Sequence, residues 1–205
     1  MPAIVNRIDK KISDQGKFTP CPSKDGINVT FSGVFDFKYF YYLLHEWLIE
    51  HEWAKSDSDF REDLYSQRDD VSGKELFLKW RMEKKTGNYV ADKIEMDIHI
   101  HCLALGDTEI LVNNKKQKLD KGEIEVKIDG RVFKNKELTS SWVYKSELIK
   151  KFMDNKYYSS QHDKVWGDFY AEIYNLQEAI KEYFGLTRFS DRRELLEFYK
   201  SRTGE

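Results

Sequence analysis

Residues 94–102 read IEMDIHIHC, a stretch in which apolar and polar side chains alternate without a break. Successive side chains of a β-strand point to opposite faces of a sheet, so this pattern predicts a strand with one apolar and one polar face. The same alternation occurs at 75–83, ELFLKWRME, and at 123–132, EIEVKIDGRV. The connections between these stretches are too short to return a parallel strand, and the sequence therefore predicts an antiparallel sheet.

Two further segments extend this sheet towards the N-terminus. Residues 26–35 contain Ile27, Val29 and Phe31 at alternate positions, which is typical of a half-buried strand. Residues 60–70 carry so much charge that we expect a short strand at an edge of the sheet.

Turn-forming residues divide the second half of the sheet. The pair Gly106-Asp107 predicts a turn, 109–112 a further strand, Asn113-Asn114 a bend or hairpin tip, and Lys121-Gly122 another turn. With the strand at 75–83, this division implies four successive antiparallel strands, at 75–83, 94–102, 109–112 and 123–132. The whole sheet should have about five or six strands.

Helical periodicity appears on both sides of the sheet segments. Asp36 stands at an N-cap position, and apolar residues at steps of three and four continue to His51. A long aromatic stripe runs over 165–184 and stops at Gly185, a favourable residue just past a helix end. Shorter helices are predicted around 146–153 and 190–199. The fold class is therefore α+β, an antiparallel sheet packed against an early helix and a long C-terminal helix.

The organisation of the chain follows from these elements. No linker divides the 205 residues. The pattern predicts an N-terminal arm or tail over 1–25, a single α+β domain over 26–185 and a C-terminal helical extension over 186–205.

Composition excludes several classes of protein. A formal charge of −2, with acidic and basic residues interleaved, provides no field of one sign for nucleic acid. No apolar run is long enough for a membrane span or a signal peptide, so we expect a soluble protein that stays in the cytoplasm. Cys21 and Cys102 form no spacing pattern and are interpreted as free thiols.

The order of elements resembles that of helix-grip proteins, the START-like or SRPBCC-type group, between Gly26 and Gly185. This chain departs from the group by having one early helix instead of two, one strand fewer and an extra short helix before the long one. The resemblance implies an apolar small molecule held between sheet and long helix. The side chains that would line such a site are Leu78, Trp80, Met82, Met96, Ile98, Trp166 and Tyr170. The alternative is that these residues form an ordinary core.

A metal site is a separate hypothesis. Asp97, His99 and His101 share one face of a strand, and a His-x-His pair can ligate zinc or another transition metal if further ligands approach. The alternative is that this face is the solvated, charged side of the sheet. The form Glu123-x-Glu125-x-Lys127 resembles the CYTH triphosphate-tunnel group, but too few strands follow it to close a tunnel.

No nucleophile beside a base and no glycine-rich phosphate loop is recognisable. This favours binding over catalysis, and no cofactor is predicted. The leading hypothesis is a non-enzymatic interaction or assembly protein that binds a protein partner or self-associates, with the two terminal segments as the candidate contact regions. The alternatives are a helix-grip-type binder of an apolar small molecule and a metal-dependent enzyme using His99 and His101.

Overall fold

The computed structural model describes residues 18–55, 60–70, 73–88, 91–112, 115–135 and 159–186. In chain order its elements are β1 (Phe18–Cys21), β2 (Ile27–Phe35), α1 (Phe37–Glu50), β3 (Glu62–Asp70), β4 (Gly73–Lys85), β5 (Ala91–Val112), β6 (Lys115–Lys134) and α2 (Ser159–Tyr183). The six strands form one antiparallel sheet. The predicted α+β class, with an early helix and a long C-terminal helix, is confirmed.

Several predicted segments lie outside the described residues. These are the first part of the N-terminal arm, the hairpin tip at Asn113-Asn114, the short helix around 146–153 and the helix around 190–199. Within the described part of the chain, neither helix is long and apolar enough to cross a membrane.

Strand β6 organises the sheet, because it is paired along both of its edges. On one side β5 follows it from Ala91 opposite Lys134 to Val112 opposite Lys115. On the other side it pairs with β2 and then with β1. The order is β1-β6-β5-β4-β3, which leaves β3 at the edge that its charged sequence predicts.

The predicted turns at Gly106-Asp107 and Lys121-Gly122 are wrong, and the three strands expected at 94–102, 109–112 and 123–132 are two long ones, β5 and β6. Gly106 lies opposite Lys121 within the β5 and β6 ladder. A bulge precedes this pair, since Ala104 and Leu105 together oppose Gly122, and Ala104 has a φ of 53°. A Cβ on Gly122 would lie 2.7 Å from the Leu103 carbonyl oxygen. Glycine thus permits a close approach of two strands here, where the sequence pattern alone indicated a turn.

The predicted N-terminal arm extends too far into the chain, because its residues 18–21 are a strand of the sheet. β1 pairs with the end of β6, with Pro20 opposite Arg131. Proline has no N–H for a ladder and is tolerated at a sheet edge, where one side of the strand needs no partner. Pro20 and Pro22 read as loop residues in the sequence, and four residues are too few to show an alternation.

One face of the sheet carries the hydrophobic core, and both helices cover it. The helices contribute Phe40 and Leu44 from α1 and Phe169 and Ile173 from α2 to the same buried cluster as the sheet. The sheet residues of this cluster alternate along each strand as the sequence predicts. They include Leu76, Leu78, Trp80 and Met82 of β4, Ile94, Met96, Ile98, Ile100 and Cys102 of β5, and Ile124, Val126, Ile128 and Val132 of β6.

Both predicted helix caps are present, and one hydroxyl joins them. The Asp36 carboxylate accepts a hydrogen bond from the Tyr39 N–H at 2.9 Å. Gly185 has a φ of 64°, and the Leu186 N–H donates to the Lys181 carbonyl, which closes the end of α2. The Tyr183 hydroxyl donates to the Asp36 carbonyl at 2.7 Å. The first turn of α1 is therefore tied to the last turn of α2.

Gly130 sets the distance between α2 and the sheet. A Cβ at this position would lie 2.6 Å from the Cys21 carbonyl oxygen, 2.6 Å from Ile173 Cδ1 and 2.8 Å from Phe169 Cε1. The helix therefore rests almost directly on the backbone of β6, and an ordinary side chain at this position would displace it.

We expect Gly130→Ala to lower the free energy of unfolding by about 2 kcal/mol, because the added methyl group overpacks this contact. Urea denaturation followed by circular dichroism measures the change. Gly167→Ala is the matched control, since Gly167 lies on α2 with open space around it, and it should raise stability by about 1 kcal/mol through helix propensity. An unchanged midpoint for Gly130→Ala would contradict this seating of α2.

Candidate functional site

The five sheet residues of the predicted ligand site are neighbours in the core. Trp80 lies opposite Ile98 and Met82 opposite Met96, with Leu78 one step along the same face. All five are almost fully buried. The Trp80 ring contacts Tyr41 and Phe60 at centroid distances of 5.0 and 4.9 Å. Its Nε1 donates to Glu62 Oε1 at 3.2 Å. Trp80 is thus enclosed by side chains of the protein itself.

The two helical residues of the same prediction lie elsewhere. Trp166 Nε1 donates to the Pro20 carbonyl at 3.0 Å, which places it over β1. Tyr170 stacks on Trp166 with centroids 5.1 Å apart. β1 is separated from β4 by β6 and β5. The seven residues therefore form two groups, a fully buried one around Trp80 and a half-buried one around Trp166 at the margin of the core.

The proposed metal residue Asp97 lies in an ion-pair network on the other face of the sheet. Arg81 binds both of its oxygens at 2.8 and 3.1 Å, and Arg131 Nη2 lies 2.6 Å from Asp97 Oδ2. Asp97 is only 4% exposed. Burial opposes ionisation of the carboxyl, but the hydrogen bonds from Arg81 and the charges of Arg131 and Arg81 hold its pKa below the ordinary value. Both oxygens of this carboxylate are thus already bound to guanidinium groups.

His99 and His101 have different surroundings. His99 lies between Lys79 and Lys127 on the neighbouring strands, and burial together with the Lys79 charge lowers its pKa. His101 Nε2 lies 2.8 Å from Glu75 Oε1. Within the described ranges no three His, Cys, Asp or Glu side chains are grouped to hold a metal ion. A cation beside His99 would meet two lysines, so the charges of this face do not favour a metal.

We expect Asp97→Asn to destabilise the fold at pH 7 by about 3 kcal/mol, because two partly buried guanidinium groups lose the buried carboxylate that they share and keep only the longer contacts to Asp63 and Glu95. The pKa of Asp97 is lower in the folded protein than in the unfolded chain. Its contribution to stability is therefore complete above the unfolded pKa, about 3.9, and is lost as the pH falls through the lower pKa of the folded state. The difference from the unmodified protein should therefore shrink below about pH 4.

Urea denaturation of both proteins between about pH 7 and pH 3 measures this difference. Asp168→Asn, at an exposed position of α2, serves as the control and should change stability at pH 7 by less than about 0.5 kcal/mol. A difference between Asp97→Asn and the unmodified protein that is independent of pH would exclude the ion pairs as its cause.

A groove between α1 and α2 was not predicted from the sequence. Its volume is about 540 Å³. The half-buried side chains that form its floor are Leu43, Trp47, Ala179 and Tyr183, and the exposed ones at its rim are Tyr39, Tyr42, Glu46, Glu50 and Glu182. We call this feature the inter-helix groove. It has an apolar floor and a rim of tyrosine and glutamate.

The groove exists because α1 has two apolar stripes. Phe40, Leu44 and Leu48, at intervals of four, face the sheet and are fully buried. Tyr39 and Tyr42, on the adjacent side of the helix, remain 61% and 52% exposed. The signal in the sequence was the number of aromatic and aliphatic residues in α1, which exceeds what one helical face can bury.

Comparison with protein-family models, with curated proteins and with solved structures finds no match to this chain. The likeness to helix-grip proteins therefore rests on the order of elements alone.

Proposed function

We propose that this protein is a non-enzymatic interaction protein that binds a protein partner through the inter-helix groove. The observation that supports the proposal is the groove itself, where two of the three most exposed large hydrophobic side chains in the described part of the chain, Tyr39 and Tyr42, stand beside a half-buried apolar floor. In proteins that remain monomeric, large side chains of this kind are more often spread singly over the surface.

Tyrosine is well suited to such a surface. Its ring contributes a large apolar contact area with few rotatable bonds, and its hydroxyl stays hydrated when the partner is absent. Tyr and Trp are enriched among the residues that dominate binding energies. Tyr42 at the rim and Trp47 on the floor are therefore the expected anchors, and Leu43 lies between them along α1.

The charge of the rim selects the partner. Glu46 and Glu50 are both exposed and stand one helical turn apart. Within the described ranges neither of them has a basic side chain as a partner. A partner with Lys or Arg beside its apolar residues would neutralise the rim, and electrostatic attraction of this kind speeds association and selects the orientation of binding.

The dimensions of the groove favour a helical ligand. A volume of about 540 Å³ between two helices accommodates a few large side chains, as an amphipathic helix presents from one face at steps of three and four residues. The proposed partner is therefore a protein with a basic amphipathic helix that carries apolar anchors.

Binding can be tested with a designed helical peptide that bears Leu and Trp on one face and Lys on the other. We expect the peptide to bind the full chain, and the double variant Glu46→Lys/Glu50→Lys to weaken this binding at least about tenfold by reversing the charge of the rim. Isothermal titration calorimetry measures both affinities.

Two controls make this experiment specific. Glu123→Lys/Asp168→Lys applies the same change of charge at exposed positions outside the groove and should leave the affinity within about twofold. A twin peptide with Glu in place of Lys should not bind. Equal affinity for both peptides would reject the proposed chemistry, and a concentration-dependent dimer that Tyr42→Ala abolishes would identify a second copy as the occupant.

A further inference from the structure

The outer edge of β3 is not paired within the described part of the chain. β3 is the last strand of the sheet and is bonded only to β4. Its nine residues, Glu62–Asp70, therefore present backbone donors and acceptors on the other side, and the strand is regular from Leu64 onward, after an irregularity between Glu62 and Leu64. Such an edge is a template for an added strand.

The middle of β3 also lacks the protection that charged side chains give to an edge. Leu64 and Tyr65 are 40% and 54% exposed. They are neighbours along the strand, so they lie on opposite faces of the sheet. A strand added beside β3 would cover both residues, because its own side chains would lie next to Leu64 on one face and next to Tyr65 on the other.

The charges on one face specify the added strand. Tyr65 lies opposite Leu78 and Asp69 opposite Lys74, and the Leu78 face is the one covered by the helices. Glu62, opposite Trp80, belongs to the same face at the other end of the strand. Glu62 thus precedes Tyr65 on this face, and Asp69 follows it after Gln67. A partner strand that matches it carries an apolar residue opposite Tyr65 and Lys or Arg towards both ends.

A second copy of β3 is a poor match for this edge. An antiparallel copy centred on Ser66 would place Asp63 opposite Asp69 at two positions, and like charges directly across strands destabilise pairing.

Tyr41 of α1 connects the groove to the strand beside this edge. Its ring lies 6.1 Å from the Tyr42 ring of the groove and 5.0 Å from the Trp80 ring of β4. Trp80 Nε1 in turn donates to Glu62 of β3 at 3.2 Å.

From this arrangement we infer that the edge of β3 is a second docking surface, which takes an extended basic segment of a protein partner as an added antiparallel strand. The edge of β3 and the inter-helix groove consist of different residues, so binding at one surface can be disproved without affecting the other.

A synthetic peptide of about ten residues tests it, with Tyr at its centre, Val and Thr around it and Lys at both ends, added to the full chain. We expect the peptide to bind with a Kd below about 1 mM. It should also slow hydrogen exchange at alternate amides of residues 62–70 by about tenfold or more. Asp69→Lys should weaken binding about tenfold through charge reversal, whereas Glu46→Lys/Glu50→Lys in the groove should leave it within about twofold.

The matched control is the same peptide with N-methyl groups on the amides that would pair with β3. It keeps every side chain and charge but cannot form the ladder, so it should not bind. Equal binding of the methylated peptide, protection confined to α1, or no binding up to about 1 mM would each overturn the inference. Dimers that protect residues 62–70 without peptide would overturn it in favour of a second copy.

Discussion

The register between β5 and β6 is the constraint on which the rest of the molecule depends. Along this ladder Ile98 faces Ile128 and Ile100 faces Val126, so the apolar side chains of both strands enter the same layer. A slip of one residue would move the whole set to the other face. The bulge at Ala104 places one extra residue in β5, so that Leu105 is the next buried side chain after Cys102, and Gly122 allows the two backbones to approach. The helices, the caps and the surfaces are all placed relative to this ladder.

The position of α1 explains why the protein has an exposed aromatic surface. The sheet needs a cover over the apolar side chains of β4, and Tyr41 of α1 contacts Trp80 there. α2 lies at the other end of the sheet, held by Trp166 over β1 and by Gly130 on β6. Each helix therefore faces the sheet, while Tyr39 and Tyr42 point away from the core. The groove is a consequence of how two helices share one sheet.

The sequence predicted the elements that depend on local pattern and missed those that depend on distant contacts. Alternation at Trp80 and Ile98 identified the apolar face, and Asp36 and Gly185 marked helix ends through the chemistry of their own turns. From the sequence, the bulge at Ala104 could not be distinguished from a turn, because glycine is common in both. The groove was missed since periodicity shows that α1 is amphipathic but not which aromatic residues a second helix will cover. Asp97 looked like a metal ligand because its two arginine partners lie on other strands.

Local charge explains how a nearly neutral chain can still present an acidic surface to the proposed partner. The net charge of −2 is an average, and the outer face of the sheet pairs most of its charges internally, as Arg81 and Arg131 do with Asp97. The residues that stay acidic are placed elsewhere, with Glu46 and Glu50 beside the groove. Pairing on one face thus leaves an unbalanced charge on the other side of the molecule. Attraction of a basic partner can then act over about 8 Å, the screening length at physiological salt, which is short enough to distinguish one surface from the next.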